Sequence, residues 1–289
     1  MATTYSNLYL DLRARLKKAG AFDPTFAARE LVCFASGKSR EELVRDGSLY
    51  VSPEVEEQVA QLERRHLAGE PVAHLIGEWE FYGLPLDITP AVLIPRPDTE
   101  VLVEQVLSVT KELGACRVLD LCAGSGCVGL AIAAHTPAAR VLLGELDEAA
   151  LKICRRNIRR CNLAGRVTAM RVNALEAPAK QLGEFHAIAC NPPYIPHAEL
   201  ERLDPSVRDY EPHLALDGGA DGLDFYRAIC EGWRSALCAG GLLAFEVGIG
   251  QAAAVAQLMR EHGFSDVSTV RDLGGVERVV HGKRSEEET

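Results

Sequence analysis

Apolar positions run at helical spacing through the first quarter of the chain. Tyr5, Leu8, Leu12 and Leu16 recur every three to four residues, and Gly20 stops that run. Asp23-Pro24 supplies a cap and a first-turn proline for a second helix carrying Phe26, Leu31 and Phe34. Ser39 and Glu42 form a capping box ahead of Leu43 and Val44. Ser52-Pro53 opens a fourth helix with Val55, Val59, Leu62 and His66, ending near Gly69. The pattern predicts a small helical bundle over residues 1–72, of a size suited to docking a substrate rather than to catalysis.

The period then changes. Trp79, Phe81 and Tyr82 precede Gly83-Leu84-Pro85, and Leu86 and Ile88 follow, which reads as a hairpin with a turn longer than two residues. Ile94-Pro95-Arg96-Pro97 is an extended connector, so residues 73–97 form a hairpin linker. Asp98 or Thr99 is expected to cap the helix that carries Val101, Leu102 and Leu107.

From Arg117 onward strands and helices alternate. Strands are expected at 117–121, 140–145, 167–172, 185–190 and 241–247, and helices at 126–135, 147–162, 225–237 and 250–262. This alternation predicts an α/β domain over 98–284 with a mainly parallel sheet covered on both faces. Two last strands, near 267–271 and 277–281, have no helix between them and imply an antiparallel hairpin at one end. Residues 285–289 form an acidic tail expected to fray.

Composition narrows the function. The net charge is −10; residues 1–75 hold 10 basic against 11 acidic side chains, which leaves −9 on the rest. An acidic main domain disfavours direct, unspecific nucleic-acid binding, which depends on phosphate neutralisation. The nine cysteines include no CxxC pair, and no His or Cys cluster has zinc-ligand spacing. Reduced thiols, packed for Cys122, Cys127, Cys154, Cys161 and Cys190, fit a cytoplasmic protein. No signal pattern and no run of 18 apolar residues is seen, so no membrane span is expected. No metal is expected, and a monomer is the expected state.

Two motifs carry chemistry. Val118-Leu119-Asp120-Leu121 runs into Cys122-Ala123-Gly124-Ser125-Gly126 and a helix start. Small residues there let a ligand reach the backbone, with helix N–H groups facing it. Glu145 follows at the end of the next strand, where a carboxylate can accept both hydroxyls of a ribose. Asp120 reads either as a cap for the glycine turn or as the holder of a cofactor ammonium. The literal GxGxxG keeps a dinucleotide as a rival.

Asn191-Pro192-Pro193-Tyr194 follows an apolar strand. Proline lacks an N–H and fixes φ, and it holds the preceding residue extended. The product is a rigid, acceptor-rich corner: the Asn191 side-chain oxygen beside the Pro192 carbonyl. It suits a planar –NH2 group gripped by both hydrogens, which points to an amide or a base amino group. An amide nitrogen is a poor nucleophile, so the site must orient it and favour the charge that builds as a methyl arrives. Tyr194 is expected to pack against the planar group.

Together with His74-Leu75-Ile76-Gly77-Glu78, Glu80-Phe81 and the string Leu93-Ile94-Pro95-Arg96-Pro97-Asp98-Thr99-Glu100, these motifs resemble the HemK/PrmC protein-glutamine methyltransferases, class I enzymes that use S-adenosylmethionine. The resemblance runs from the helical N-terminus to Glu277-Arg278. It implies a seven-stranded Rossmann-like methyltransferase sheet, with S-adenosylhomocysteine as the product from the donor. It implies methylation of the glutamine in the Gly-Gly-Gln motif of class 1 peptide-chain release factors, gripped by the helical domain. Residues 122–126, Asp120, Glu145, Asn173 and Asn191 would hold the donor. Asn191 to Tyr194 would hold the glutamine, with Phe81 either walling the pocket or filling the hairpin core. The chain departs from the family where Glu145 stands for the commoner Asp, and where Asn173-Ala174 replaces an Asp followed by an aromatic.

The rivals are glutamine methylation of a large-subunit ribosomal protein and methylation of an adenine amino group, which needs base flipping. Further off stand a nicotinamide oxidoreductase, which leaves the Asn191 corner unexplained, and a cofactor-binding adaptor without catalysis.

Overall fold

The computed structural model describes residues 3–285; residues 286–289 of the expected acidic tail lie outside it. In chain order the first elements are α1 (Tyr5–Lys18), α2 (Pro24–Ser36), α3 (Arg40–Arg45), α4 (Pro53–Leu67) and α5 (Val72–Ile76), then β1 (Glu78–Phe81) and β2 (Leu84–Asp87). There follow α6 (Glu100–Thr110), β3 (Cys116–Leu121), α7 (Cys127–His135), β4 (Ala139–Glu145), α8 (Glu148–Arg160), β5 (Val167–Arg171) and β6 (Phe185–Cys190). The last are α9 (Pro205–Arg208), α10 (Asp224–Gly232), β7 (Leu237–Glu246), α11 (Ala252–Glu261), β8 (Phe264–Arg271) and β9 (Glu277–Arg284). The described residues divide into two compact units, 3–78 with 205–210, and 79–204 with 211–285.

The helical unit is built on its caps. Thr4, Asp23 and Ser52 each accept an N–H from the first turn they precede, and Ser39 and Glu42 complete both bonds of the capping box. Leu12, Leu16, Leu31, Val32 and Val59 are fully buried. Phe34, expected in this core, is 44% exposed; Ala27, Ala28, Leu31 and Val32 form the inner face of α2 instead. Helix α5 was not legible in the sequence. It has five residues and no side-chain cap, and it is held by burial of Val72, Ala73 and Leu75 before Gly77 closes it at φ 76°.

The hairpin turn is shorter than the sequence suggests. Only Tyr82 and Gly83 separate β1 from β2, and both have positive φ, 50° and 76°. That is the two-residue geometry whose twist matches the strands.

The second unit holds a seven-stranded sheet in the order β5-β4-β3-β6-β7-β9-β8. Strands β3 to β7 are parallel, and β9 is antiparallel to both neighbours. The final hairpin thus folds back so that its last strand, not its first, joins the parallel sheet. Trp233, Tyr226, Phe185 and Phe245 fill the largest core positions. The Trp233 indole N–H donates to the Ala174 carbonyl at 3.0 Å, and the Tyr226 hydroxyl donates to the Glu246 carbonyl at 2.9 Å. These bonds satisfy the polar ends of otherwise apolar residues. Strand β7 starts four residues earlier than expected, across an irregularity opposite Phe185 and Ala187.

Candidate functional site

The chain runs outward from β3 to β4 and β5, then crosses back to place β6 on the other side of β3. The carboxyl ends of β3 and β6 therefore diverge into a crevice, the usual ligand position in an open α/β sheet. A cavity of about 330 Å³ lies there, within the size of small-molecule sites.

The glycine loop forms one wall. Cys122, Gly124 and Gly126 all have positive φ (63°, 55° and 84°). A side chain on Gly126 would meet Leu143 at 2.8 Å in addition, so only glycine fits there without strain. The Cys154 thiol donates to the Gly124 carbonyl, and Asn157 Nδ2 to the Ser125 carbonyl at 2.9 Å. Asn157 is fully buried; it also accepts from the Asp87 amide at 2.7 Å and donates to the Asp87 carbonyl at 3.1 Å. The loop is thereby pinned to the end of the hairpin.

Asp120 serves the capping role that the sequence allowed. Its Oδ2 accepts from the Gly129 amide in the first turn of α7 at 2.8 Å. It also lines the cavity at 2% exposure. Burial pushes its carboxyl up to about 7, against the Gly129 bond and with some help from Glu145. A buried carboxylate with this environment fits a cationic ligand group. Ser125 points the same way: its hydroxyl is buried in the cavity wall without a partner.

Glu145 is more committed than expected. Its carboxylate accepts from the amides of Gly124 (2.8 Å), Leu146 (2.7 Å) and Asp147 (2.9 Å). A carboxylate offers about four acceptor positions, so a ribose diol would share it with these amides rather than occupy it alone. Asn173 lines the cavity while closing a local turn, accepting from Leu175 N and donating to Glu176.

Across the cavity stand Asn191 and Pro193. Asn191 Nδ2 donates to Thr99 Oγ1 at 3.4 Å. The Thr99 hydroxyl makes no cap bond for α6, contrary to the sequence expectation, because a 3-10 turn over Pro97–Thr99 precedes that helix. Tyr194 turns away from the cavity: its ring packs against the core, and burial pushes its hydroxyl up to about 12. Three glycines accommodate it. Added Cβ atoms would lie 2.7 Å from Tyr194 Cα at Gly218, 2.3 Å from its carbonyl oxygen at Gly222 and 3.0 Å from its ring at Gly248. Gln251 completes the support, donating to the Tyr194 carbonyl at 2.9 Å.

Asp120, Cys122, Ala123, Gly124, Ser125, Glu145, Asn173, Asn191 and Pro193 thus share one cavity; Gly126, Pro192, Tyr194 and Phe81 are not on its surface. Phe81 is 2% exposed in the hairpin core. The apolar wall is supplied instead by Leu93, Leu214 and Phe225, with Arg96 and Thr99 beside them. Arg96 pairs with Glu211, which is buried and also accepts from Ile94 N. Sequence reading missed Thr99, Gln251 and Asn157 as parts of the site. Among the described residues no cluster suits a metal ion, and no helix is long and apolar enough to cross a membrane.

Residues 7–77 match the family profile "PrmC N-terminal domain", and 80–209 match "Conserved hypothetical protein 95". A release factor glutamine methyltransferase of Geobacter sulfurreducens is 40% identical over 271 residues, covering 94% of this chain and 93% of the relative. One from Caulobacter vibrioides is 38% identical over 288 residues, covering 99% and 98%. Among solved structures, a methyltransferase from Pyrococcus furiosus shares the fold at 18% identity, with a TM-score of 0.53 over 78% of this chain and 99% of that one.

Proposed function

The chain belongs to the release factor glutamine methyltransferase family, and on that premise we propose that it methylates the side-chain amide of the glutamine in the Gly-Gly-Gln motif of class 1 release factors. The observation that carries the reading is that Asn191 and the glycine loop line the same cavity. One holds an amino group and the other a nucleoside donor.

S-adenosylmethionine, when bound, supplies an electrophilic sulfonium methyl. Asp120 is suited to its ammonium, Glu145 to a ribose hydroxyl, the amides of the glycine loop to its polar edge, and Asn173 to the adenine. Asn191 Oδ1 on the cavity wall and the Pro192 carbonyl, set back from that wall, are the two acceptors for the glutamine –NH2 in this reading and fix its plane. These acceptors favour positive charge building on nitrogen more than they favour the neutral amide, so they act mainly in the transition state. The bound donor would supply the methyl to nitrogen with sulfur keeping the S–C electron pair, and the surplus N–H proton would leave to water. No side-chain base of ordinary strength is needed, because the nitrogen becomes acidic only as it is alkylated.

The helical unit is the release-factor grip in this reading. It has its own core and displays Phe22 at 96% and Val44 at 83% exposure. The −9 charge outside residues 1–75 favours a protein over a nucleic-acid acceptor. Nine free thiols suit the cytoplasm, where release factors act. The test offers a labelled methyl donor with a release factor, a large-subunit ribosomal protein and DNA in parallel. Label on the release factor alone is expected; label on either other acceptor in its place refutes the reading.

A further inference from the structure

Glu246 is a buried carboxylate with no part in the site as described so far. It ends β7, which runs parallel to β6 with Phe245 opposite Cys190, so Glu246 occupies the next rung beside Asn191. It is 2% exposed, and its Oε2 has no hydrogen-bond partner. An unmet oxygen in the interior destabilises the fold, so a carboxylate at this rung calls for a use. Two polar side chains, Thr99 and Asn191, lie beside it and favour its charged form. Those two are themselves joined, Asn191 Nδ2 to Thr99 Oγ1 at 3.4 Å.

The direction of this chain of bonds follows from chemistry. An ionised carboxylate only accepts. It therefore takes the Thr99 hydroxyl hydrogen, which leaves Thr99 Oγ1 as an acceptor. Asn191 must then offer Nδ2 on that side and its oxygen on the other, toward the cavity it lines. We propose that Glu246 is a positioning residue which, through Thr99, holds the Asn191 amide with its oxygen toward the acceptor nitrogen. This rests on the glutamine reading given above. The two orientations of a carboxamide differ little in shape. The flipped one would set a donor against the donor –NH2 of the substrate. A protonated Glu246 can donate, so it admits that flipped orientation.

Glu246 is faced by Arg278 on β9, Asp98 ahead of α6, Tyr194 in the corner, Tyr226 on α10 and Cys127 on α7. Burial outweighs the others and pushes its carboxyl up to about 7; Thr99, Arg278 and Asn191 oppose it and Asp98 adds to it. Arg278 is itself bridged to Asp98 and Asp272, both at 3.1 Å. Turnover at saturating donor should therefore fall as pH drops through this range.

The experiment measures kcat and KM on a release-factor acceptor at saturating donor, over about pH 6 to 9, for wild type, Glu246→Gln, Thr99→Val and Thr99→Ser. The Asn191 side-chain amide signal is followed by NMR over the same range. Glu246→Gln and Thr99→Val are expected to lower kcat about tenfold or more while donor affinity stays within about twofold. Glu246→Gln should also flatten the pH profile, Thr99→Ser should restore the rate, and the Asn191 signal should titrate in wild type but not in Glu246→Gln. The proposal is overturned by a Glu246→Gln enzyme with the wild-type rate and profile, or by Thr99→Ser as impaired as Thr99→Val. An Asn191 signal that does not titrate in wild type overturns it too. Failure of the glutamine reading looks different: wild type transfers nothing to glutamine, while the Asn191 signal still titrates.

Discussion

The Gly129 amide donates to the Asp120 carboxylate at 2.8 Å, so the end of β3 and the first turn of α7 are fixed by a group that also faces the cavity. Burial holds that carboxyl at about 7. A protonated Asp120 has no charge to attract an ammonium, so donor affinity should fall as pH drops below about 7. Binding near neutrality should release protons, because the ammonium favours the ionised form. Asp120→Asn should weaken the donor about tenfold or more and flatten this dependence. Calorimetry in buffers of different ionisation heat checks both; affinity constant across this range contradicts the assignment.

Asn157 joins the hairpin to the glycine loop by three bonds to main-chain groups. Asn157→Leu keeps the volume but strands one amide and two carbonyls in the interior. A loss of about 2–4 kcal/mol is expected from urea unfolding. A loss below about 0.5 kcal/mol would show that the loop does not depend on this link.

Gly218 lies under the corner, where an added Cβ would be 2.7 and 2.8 Å from the Tyr194 backbone. Main chain pinned by Gln251 cannot swing aside as a side-chain tip can. Gly218→Ala should displace Asn191 to Tyr194, lower kcat about tenfold or more and leave the donor constant within about twofold. Equal loss of donor binding and turnover would mean that the damage is not local to the corner.

Glu246 also shapes stability. Its folded carboxyl, at about 7, lies above the ordinary 4.5. The neutral form is the one the fold accommodates, so this contribution is fully present below about 4.5 and is lost as pH rises through about 7. The loss approaches about 3 kcal/mol. Glu246→Gln should therefore melt higher than wild type near about pH 8 and match it near about pH 5, although its turnover is lower. An equal melting difference at both pH values contradicts a buried charge at this rung.

The strand and helix succession of the catalytic unit was legible because its central strands, such as β3 and β6, are short, mainly apolar runs that lead into glycine or proline. The hairpin turn was misjudged because nothing in Tyr82 announces positive φ; the twist of the paired strands imposes it. Helix α5 escaped because five residues carry too little periodicity. At the site, Asp120, Glu145 and Asn191 were visible as polar residues at strand ends. Tyr194 reads as a substrate contact only because it closes the run Asn191-Pro192-Pro193-Tyr194. The three glycines that draw its ring into the core lie 24 to 54 residues further on, and only the fold brings them together. Thr99 and Glu246 were hidden for the same reason, since each gains its meaning from a partner on another element.

The most direct test of the central claim is mass-spectrometric mapping of a release factor after reaction with this protein and a methyl donor. The expected result is one added methyl on the side-chain nitrogen of the Gly-Gly-Gln glutamine, abolished when that glutamine is changed and reduced about a hundredfold by Asn191→Ala with donor binding intact. A methyl found elsewhere on the release factor, or an undiminished rate with Asn191→Ala, would contradict the account.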